Sequence, residues 1–187
     1  MRMFVALTPP EAAVEHLDEF LAIRREAASF RWALPEQMHV TLAFLADVPD
    51  RALDDLVERL TRAAGRRHPV PTRIAGGGAF PNARRARVLW AGLELDETGR
   101  TEVGRMATGA RAAAVKAGIE VDGQRFRPHI TVARLGRSGE VSRWVRLLDA
   151  YAGPDWVADR IELVASYLGQ GPRGRPRYEV VESFGVG

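Results

Sequence analysis

The sequence predicts an α+β fold in which short β-strands and amphipathic helices follow one another within a single domain. Runs rich in Val, Ile, Leu and Thr recur along the chain and are typical of strands. Between them, apolar residues repeat with the spacing of a helix. No linker or low-complexity tract divides the 187 residues, so one domain over 1–187 is expected.

Helix-start and glycine signals order the first half. Pro10 before Glu11 and Pro49 before Asp50 are typical of helix N-termini. The glycine run at 76–78 is expected to end a strand. The predicted elements are a strand at 3–7, a helix at 11–28, a strand at 38–44, a helix at 50–64 and a strand at 70–75.

The second half is predicted on the same grounds. Gly118 is expected to close a long helix, and the segment 136–139 reads as a loop. The predicted elements are a strand at 88–93, a helix at 97–117, a strand around His129, a helix at 140–150 and strands at 160–168 and 178–184. Each half therefore carries helices and strands, which indicates a structural duplication.

Composition excludes several classes of protein. The chain has no cysteine, which rules out a disulfide, a thiol nucleophile and a Cys-zinc site. No apolar run approaches the ~18 residues of a membrane span, and the first residues do not form a signal peptide, so a cytoplasmic protein is expected. The net charge is +3 and Lys116 is the only lysine. The arginine bias reflects either GC-rich codons or contacts to phosphate.

One short motif occurs twice, about half a chain apart. His39-Val40-Thr41-Leu42-Ala43 and His129-Ile130-Thr131-Val132-Ala133 both read as strands. Because side chains alternate along a strand, each His shares a face with the following Thr, while the apolar residues point to the core. Two imidazoles around one point form an acid/base pair, and the two hydroxyls favour a tetrahedral anion such as phosphate.

This set suits the hydrolysis of a cyclic phosphodiester without a metal. One His would take a proton from water and the other would give a proton to the leaving ribose oxygen, so kcat/KM should be bell-shaped around neutrality. The alternative for either motif alone is a half-buried histidine with no chemical role. A metal site is disfavoured because a His two residues from a Thr is poor ligand spacing.

Several further segments accompany the two motifs. They are Arg2-Met3-Phe4-Val5-Ala6-Leu7 with Pro9-Pro10-Glu11, Arg31-Trp32, Gly78-Ala79-Phe80-Pro81-Asn82, Arg87-Val88-Leu89-Trp90, Phe126-Arg127-Pro128 and Arg177-Tyr178-Glu179-Val180. With these segments, nearly the whole chain resembles the 2H phosphoesterases. Within that superfamily it is similar to the bacterial RNA 2′,3′-cyclic phosphodiesterases, also called 2′-5′ RNA ligase-like or LigT-like proteins.

The resemblance implies a bilobal fold with two pseudo-symmetric antiparallel sheets, helices packed outside and a central active-site cleft. The single domain would consist of two intertwined lobes. The implied reaction opens 2′,3′-cyclic phosphate ends of RNA or nucleotides to 2′-phosphomonoesters, and some members also join ends reversibly by a 2′-5′ bond. His39 would be the proton donor and His129 the proton acceptor, with Thr41 and Thr131 on the phosphate. No metal or cofactor, no membrane contact and a monomer are expected.

Other contacts to the ligand are predicted from residue type. Phe44 and Phe126 could stack on a base, and Arg127 and Arg134 could hold phosphate. Core packing is the alternative for Phe44. The basic turn at 84–87 could follow an RNA backbone or simply be solvated.

Two other functions remain open at this point. The first is a protein that binds RNA ends with little turnover, in which the motifs only hold a terminal phosphate. The second is an enzyme for another small cyclic or 2′-5′-linked nucleotide. Loss of hydrolysis with retained binding in a His39→Ala protein would separate catalysis from binding.

Overall fold

A computed structural model describes residues 1–187 and contains four α-helices and nine β-strands. The helices are α1 (Glu11–Ala22), α2 (Asp50–Gly65), α3 (Glu97–Lys116) and α4 (Ser142–Asp149). The strands are β1 (Met3–Leu7), β2 (Arg31–Trp32), β3 (Val40–Leu45), β4 (Val70–Phe80), β5 (Ala86–Glu94), β6 (Ile130–Gly139), β7 (Trp156–Ala158), β8 (Arg160–Tyr167) and β9 (Arg177–Gly185). None of the helices has the length and apolar character that a membrane crossing requires.

The strands form one antiparallel sheet in which the two central strands share the fewest paired residues. Their order is β7-β4-β5-β6-β3-β1-β8-β9, and β2 pairs with β6. At the centre, β3 and β6 meet through the single pair Val40–Ile130. One lobe therefore contains β3, β1, β8 and β9, and the other contains β6, β5, β4 and β7. The predicted α+β fold is confirmed, with its two sheets joined at this pair.

Each lobe takes strands from both halves of the chain. If the chain is divided between β4 and β5, β4 is the last strand of the first half and pairs with β5 of the second half. In the same way, β8 of the second half pairs with β1 of the first half. The helices cross over in the same way, because α1 packs on β4 while α3 packs on β3. On either side of the central pair, the motif strand is followed outward by an earlier strand of its own half of the chain and then by a strand of the other half. This shared order gives the lobes a pseudo-two-fold relation.

The core lies between the strands and these helices. It is a cluster of 42 buried residues that includes the apolar members of both motifs. Val40, Ile130 and Val132 are fully buried, and Leu42 is 2% exposed. The predicted inward face of each motif strand is therefore correct, and burial of these residues holds the histidine faces toward the opposite side.

Three predicted boundaries were wrong, and the first is the end of β4, where packing overrides the local glycine signal. β4 continues through the glycines to Phe80, since a Cβ on Gly78 would lie 2.2 Å from the Trp90 ring and one on Gly77 would lie 2.3 Å from Leu148 Cβ. These glycines allow close packing and do not end the strand.

β6 runs through the predicted loop because Gly139 pairs with Ala86 of β5. Helix α1 ends at Ala22, earlier than predicted, and residues 25–27 form a short 3₁₀ turn. At this end the Arg24 side chain donates to the Phe20 carbonyl at 2.6 Å, so it satisfies one of the free carbonyls of the last turn.

Candidate active site

Both motifs face one cavity of about 430 Å³ that both lobes line. Its wall combines the two histidines and two threonines with aromatic and basic side chains. The lining residues are Arg2, Phe4, Arg31, Trp32, Ala33, Gln37, His39, Thr41, Phe44, His129, Thr131, Arg134, Ser166, Arg175, Pro176 and Tyr178. Four of them are arginines and none is a carboxylate, so the cavity suits an anion.

The two histidines have the same tautomer. His39 Nδ1 lies 2.7 Å from the Gln37 carbonyl oxygen, and His129 Nδ1 lies 2.7 Å from the Arg127 carbonyl oxygen. A carbonyl can only accept, so Nδ1 carries the hydrogen in each ring. In both residues Nε2 is therefore the nitrogen that is free to exchange a proton.

His39 is enclosed by aromatic rings. Phe4 stacks on the imidazole at 4.3 Å between ring centroids, and Tyr178 meets it edge-on at 5.6 Å. Thr41 Oγ1 lies 2.9 Å from Nε2 and donates to the neutral ring. Burial lowers the pKa of His39 from 6.5 to about 4, against the opposing effect of the Gln37 carbonyl and with smaller contributions from His129 and Arg134.

His129 has an aromatic neighbour but no threonine on its Nε2. Phe80 meets the ring edge-on at 4.8 Å, and Trp90 lies 6.0 Å away. Burial lowers the pKa of His129, the Arg127 carbonyl opposes this, and the charges of Arg134 and Arg127 lower it further. Both imidazoles are therefore neutral at pH 7 when the cavity is empty.

A β-bulge follows the threonine in each motif strand. On β3, Thr41 and Ala43 face consecutive residues of β1, so Leu42 is the extra residue. On β6, Thr131 and Ala133 face consecutive residues of β5, so Val132 is the extra residue. Because a bulge reverses the alternation of side chains beyond it, the residue five positions after each His returns to the cavity face.

Six of the predicted site residues line the cavity: His39, Thr41, Phe44, His129, Thr131 and Arg134. The bulge explains why Phe44 lies there and not in the core. Phe126 instead packs partly buried against the core, and Arg127 places its guanidinium 5.0 Å from the Trp90 ring. The arginines of the turn at 84–87 are also outside the cavity.

Several lining residues were not predicted. Phe4 lies opposite Phe44 across the β1–β3 pair, and Ser166 comes from the neighbouring strand β8. Arg31 comes from β2, whereas Arg175 and Tyr178 come from one segment near the end of the chain. Arg2, Phe4, Arg31 and Tyr178 do fall in segments that accompany the motifs. Nothing in their local sequence, however, indicates that they meet the histidines.

Acidic side chains are scarce around this site. No group of three or more His, Asp or Glu side chains is placed to hold a metal ion anywhere in the chain. The Thr and Arg side chains that line the cavity are donors suited to phosphate oxygens, and each Nε2 becomes one only when its imidazole is protonated.

The chain is similar to known proteins over nearly its full length. The family described as "LigT like Phosphoesterase" matches residues 7–90 and 93–173. A Thermus thermophilus protein named RNA 2′,3′-cyclic phosphodiesterase is 32% identical, over 100% of this chain and 90% of that protein. The crystal structure of TT0787 from Thermus thermophilus has a TM-score of 0.77 at 32% identity and covers 100% of this chain and 98% of that one.

Escherichia coli LigT complexed with 3′-AMP has the same fold, with a TM-score of 0.78 at 23% identity, over 99% of this chain and 97% of that one. The family match spans both motif strands, and the similar structures cover both lobes. The two-histidine cavity therefore lies in a chain that belongs to the family of LigT-like phosphoesterases.

Proposed function

We propose that the protein is an RNA 2′,3′-cyclic phosphodiesterase that produces 2′-phosphomonoesters by metal-independent acid/base catalysis. The observation that carries this proposal is the pair of imidazoles whose Nε2 atoms lack a hydrogen, in one arginine-lined cavity without carboxylates. The names of relatives such as the Thermus thermophilus protein support the same substrate.

In the proposed reaction, His129 Nε2 accepts a proton from a water molecule as the water oxygen bonds to phosphorus. The bond between phosphorus and O3′ breaks, and His39 Nε2–H gives its proton to O3′. The phosphate then remains on O2′. Attack and departure lie on opposite sides of phosphorus, and histidines from two lobes that line one cavity suit this arrangement.

The threonines would bind the non-bridging phosphate oxygens. In the empty cavity Thr41 donates to neutral His39 Nε2 at 2.9 Å. Once Nε2 carries a proton it no longer accepts, so the Thr41 hydroxyl becomes free to donate to the phosphate. Protonation of His39 and binding of phosphate by Thr41 are therefore linked in this proposal.

Binding of the anionic substrate would raise the pKa of His39 and so favour its protonated form. Burial disfavours the imidazolium ion in the empty cavity. A phosphodiester carries a negative charge, and an opposite charge at short range raises the pKa of an imidazole. Binding would thus charge the donor, while His129, next to the cationic Arg134, stays neutral as the base.

The same pair would serve ligation, with an RNA 5′-hydroxyl in place of water and the reverse reaction opening a 2′-5′ bond. A monomer is sufficient for either reaction, because both motif strands belong to one chain and line one cavity.

The test is incubation of EDTA-treated protein with a nucleoside 2′,3′-cyclic phosphate and separation of the 2′- and 3′-phosphate products. We expect only the 2′-phosphate, and a loss of about 10²–10⁴-fold in kcat for His39→Ala and for His129→Ala. His68→Ala is the matched control, because His68 is exposed and outside the cavity. Equal, negligible turnover in wild type and variants on both nucleotides and oligonucleotides would instead favour a protein that only binds RNA ends.

A further inference from the structure

One part of the cavity wall carries three guanidinium groups without an ion-pair partner. Arg31, Arg134 and Arg175 all line the cavity. None of the three takes part in any of the ion pairs of the chain. Elsewhere, cations such as Arg59 and Arg62 pair with acidic side chains one helical turn away. What distinguishes the three is their shared place in a cavity whose wall has no carboxylate, so an anionic ligand would be their counter-charge.

Arg175 is the most unusual of the three. It is only 8% exposed, and its Nη2 donates to the Trp32 carbonyl at 2.7 Å. Burial and the neighbouring charges of Arg31 and Arg173 lower the pKa of its guanidinium, although Glu36 opposes this. A buried charge beside like charges destabilises the empty protein, so an anion bound there would relieve the repulsion.

The fold brings the three arginines together. Arg31 on β2 is directly opposite Arg134 on β6, and its guanidinium also donates to the Gly174 carbonyl at 3.3 Å. Arg175 follows Gly174 and reaches back to β2 through the Trp32 carbonyl. Because Arg134 is on the same strand as Thr131, the cluster adjoins the place proposed for the reacting phosphate.

We propose that Arg31, Arg134 and Arg175 bind the 5′-phosphate of the nucleotide whose 2′,3′-cyclic phosphate reacts. This inference rests on the proposed function and specifies its substrate. A cyclic phosphate occupies both O2′ and O3′, so the nearest second phosphate in an RNA end is the one on O5′ of the same ribose. Guanidinium groups bind phosphate through paired, charge-assisted hydrogen bonds. The preferred substrate is then the end of an oligoribonucleotide, and a free nucleoside cyclic phosphate is a poor one.

The test compares adenosine 2′,3′-cyclic phosphate with the same compound carrying a 5′-phosphate. For the wild type we expect kcat/KM to be about tenfold or more higher with the 5′-phosphate, since hydrogen bonds to a charged group are among the stronger ones. In Arg31→Ala and Arg175→Ala the ratio of the two kcat/KM values should fall toward one. Arg160→Ala, an exposed arginine outside the cavity, should keep the wild-type ratio.

Arg31 is exposed, so Arg31→Ala tests the proposal even if Arg175→Ala fails to fold. Equal kcat/KM for the two compounds in the wild type would overturn the 5′-phosphate site and leave the proposed function intact. A preference that survives in both variants would place the 5′-phosphate elsewhere and also overturn the site. If the wild type hydrolyses neither compound nor a cyclic oligonucleotide end, the proposed function itself fails.

Discussion

The His39 and His129 imidazoles have different neighbouring groups. His39 has a stacked Phe4 ring and a threonine on Nε2, whereas His129 has an edge-on Phe80 ring and two nearby arginines. Both environments favour the neutral ring. The pKa values of the empty enzyme therefore lie on the acid side of an ordinary histidine, and the bell-shaped profile expected around neutrality should move to lower pH.

The pH dependence of kcat/KM, which reports the free enzyme, should show this shift. Protonated His39, with a pKa of about 4, and neutral His129, with a lowered pKa, coexist best below pH 6.5. Above that pH, kcat/KM should fall by about tenfold per pH unit as His39 loses its proton. The alkaline limb of kcat should lie at higher pH, because bound phosphate raises the pKa of His39.

Initial rates between pH 4 and 9, measured at low and at saturating substrate, would give both profiles. His39→Asn is the control, since its remaining activity should lack the alkaline limb. A kcat/KM profile whose alkaline limb begins at pH 8 or above would contradict the effect of burial on the two imidazoles.

Residue-level prediction from sequence identified the four polar motif residues of the cavity but not their surroundings. His39, Thr41, His129 and Thr131 were predicted because each strand carries its His and Thr on one face. Phe4 could not be placed, since it meets His39 only through the pairing of β1 with β3. Burial by such neighbours decides the pKa values, and that information is absent from the motifs.

At the scale of elements, local irregularities shape the site. The bulges after Thr41 and Thr131 turn Phe44 and Arg134 toward the cavity. Because Gly78 of β4 has no side chain, the Trp90 ring of β5 can pack directly against its backbone. The centroid of that ring lies 6.0 Å from the centroid of the His129 ring. The glycine run therefore supports the His129 side of the cavity through close packing.

Gly78→Ala should destabilise the protein. The new Cβ would lie 2.2 Å from Trp90 Cζ2, and Trp90 is only 7% exposed, so the ring must shift within packed surroundings. Overpacking of this kind costs about 1–3 kcal/mol, and the shift should also lower kcat/KM through His129. Urea unfolding followed by circular dichroism would measure the first effect and a hydrolysis assay the second.

Gly136→Ala on β6 is the matched control, a glycine within a strand of the same lobe. Nothing lies within 4 Å of its Cβ, so its free energy of unfolding should stay close to that of the wild type. A Gly78→Ala protein as stable as Gly136→Ala would show that the Trp90 ring is not tightly held.

Element prediction was weakest where glycine serves packing. The sequence analysis read the glycine run at 76–78 as a strand end and the segment 136–139 as a loop, because glycine and turn residues usually interrupt strands. Both segments lie within strands, where Gly77, Gly78 and Gly139 pair with residues of β5. The helices with start signals at Glu11 and Asp50 began where predicted, and so did the long helix at Glu97.

On the scale of the whole molecule, neither half of the chain forms a lobe alone. β4 of the first half pairs with β5 of the second half, and β8 of the second half pairs with β1 of the first half. The cavity forms where these two mixed lobes meet at Val40–Ile130. Order of elements alone indicated a duplication, but this exchange of strands depends on long-range pairing and could not be predicted.

A cut in the exposed turn between Arg84 and Arg85 tests this interdependence. Fragments 1–84 and 85–187 each lack strands that their own strands need, so neither should fold or hydrolyse substrate by itself. Mixed and refolded together, they should recover activity, because the cut breaks no pairing within a strand. Circular dichroism of each fragment is the direct measurement, and cooperative unfolding of one fragment alone would refute the expectation.

The exchanged strands also bear on how such a cavity could arise. A half-length chain with one His-x-Thr strand could form such a cavity only as a symmetric homodimer. In that dimer, the last strand of each copy would pair with the sheet of the other copy. Identical copies would present the same residue five positions after each histidine. Covalent joining of the halves permits divergence at these sites, and here Phe44 stands at one and Arg134 at the other. One position is aromatic and the other cationic, which suits the proposed substrate because it has a base at one end and a phosphate at the other.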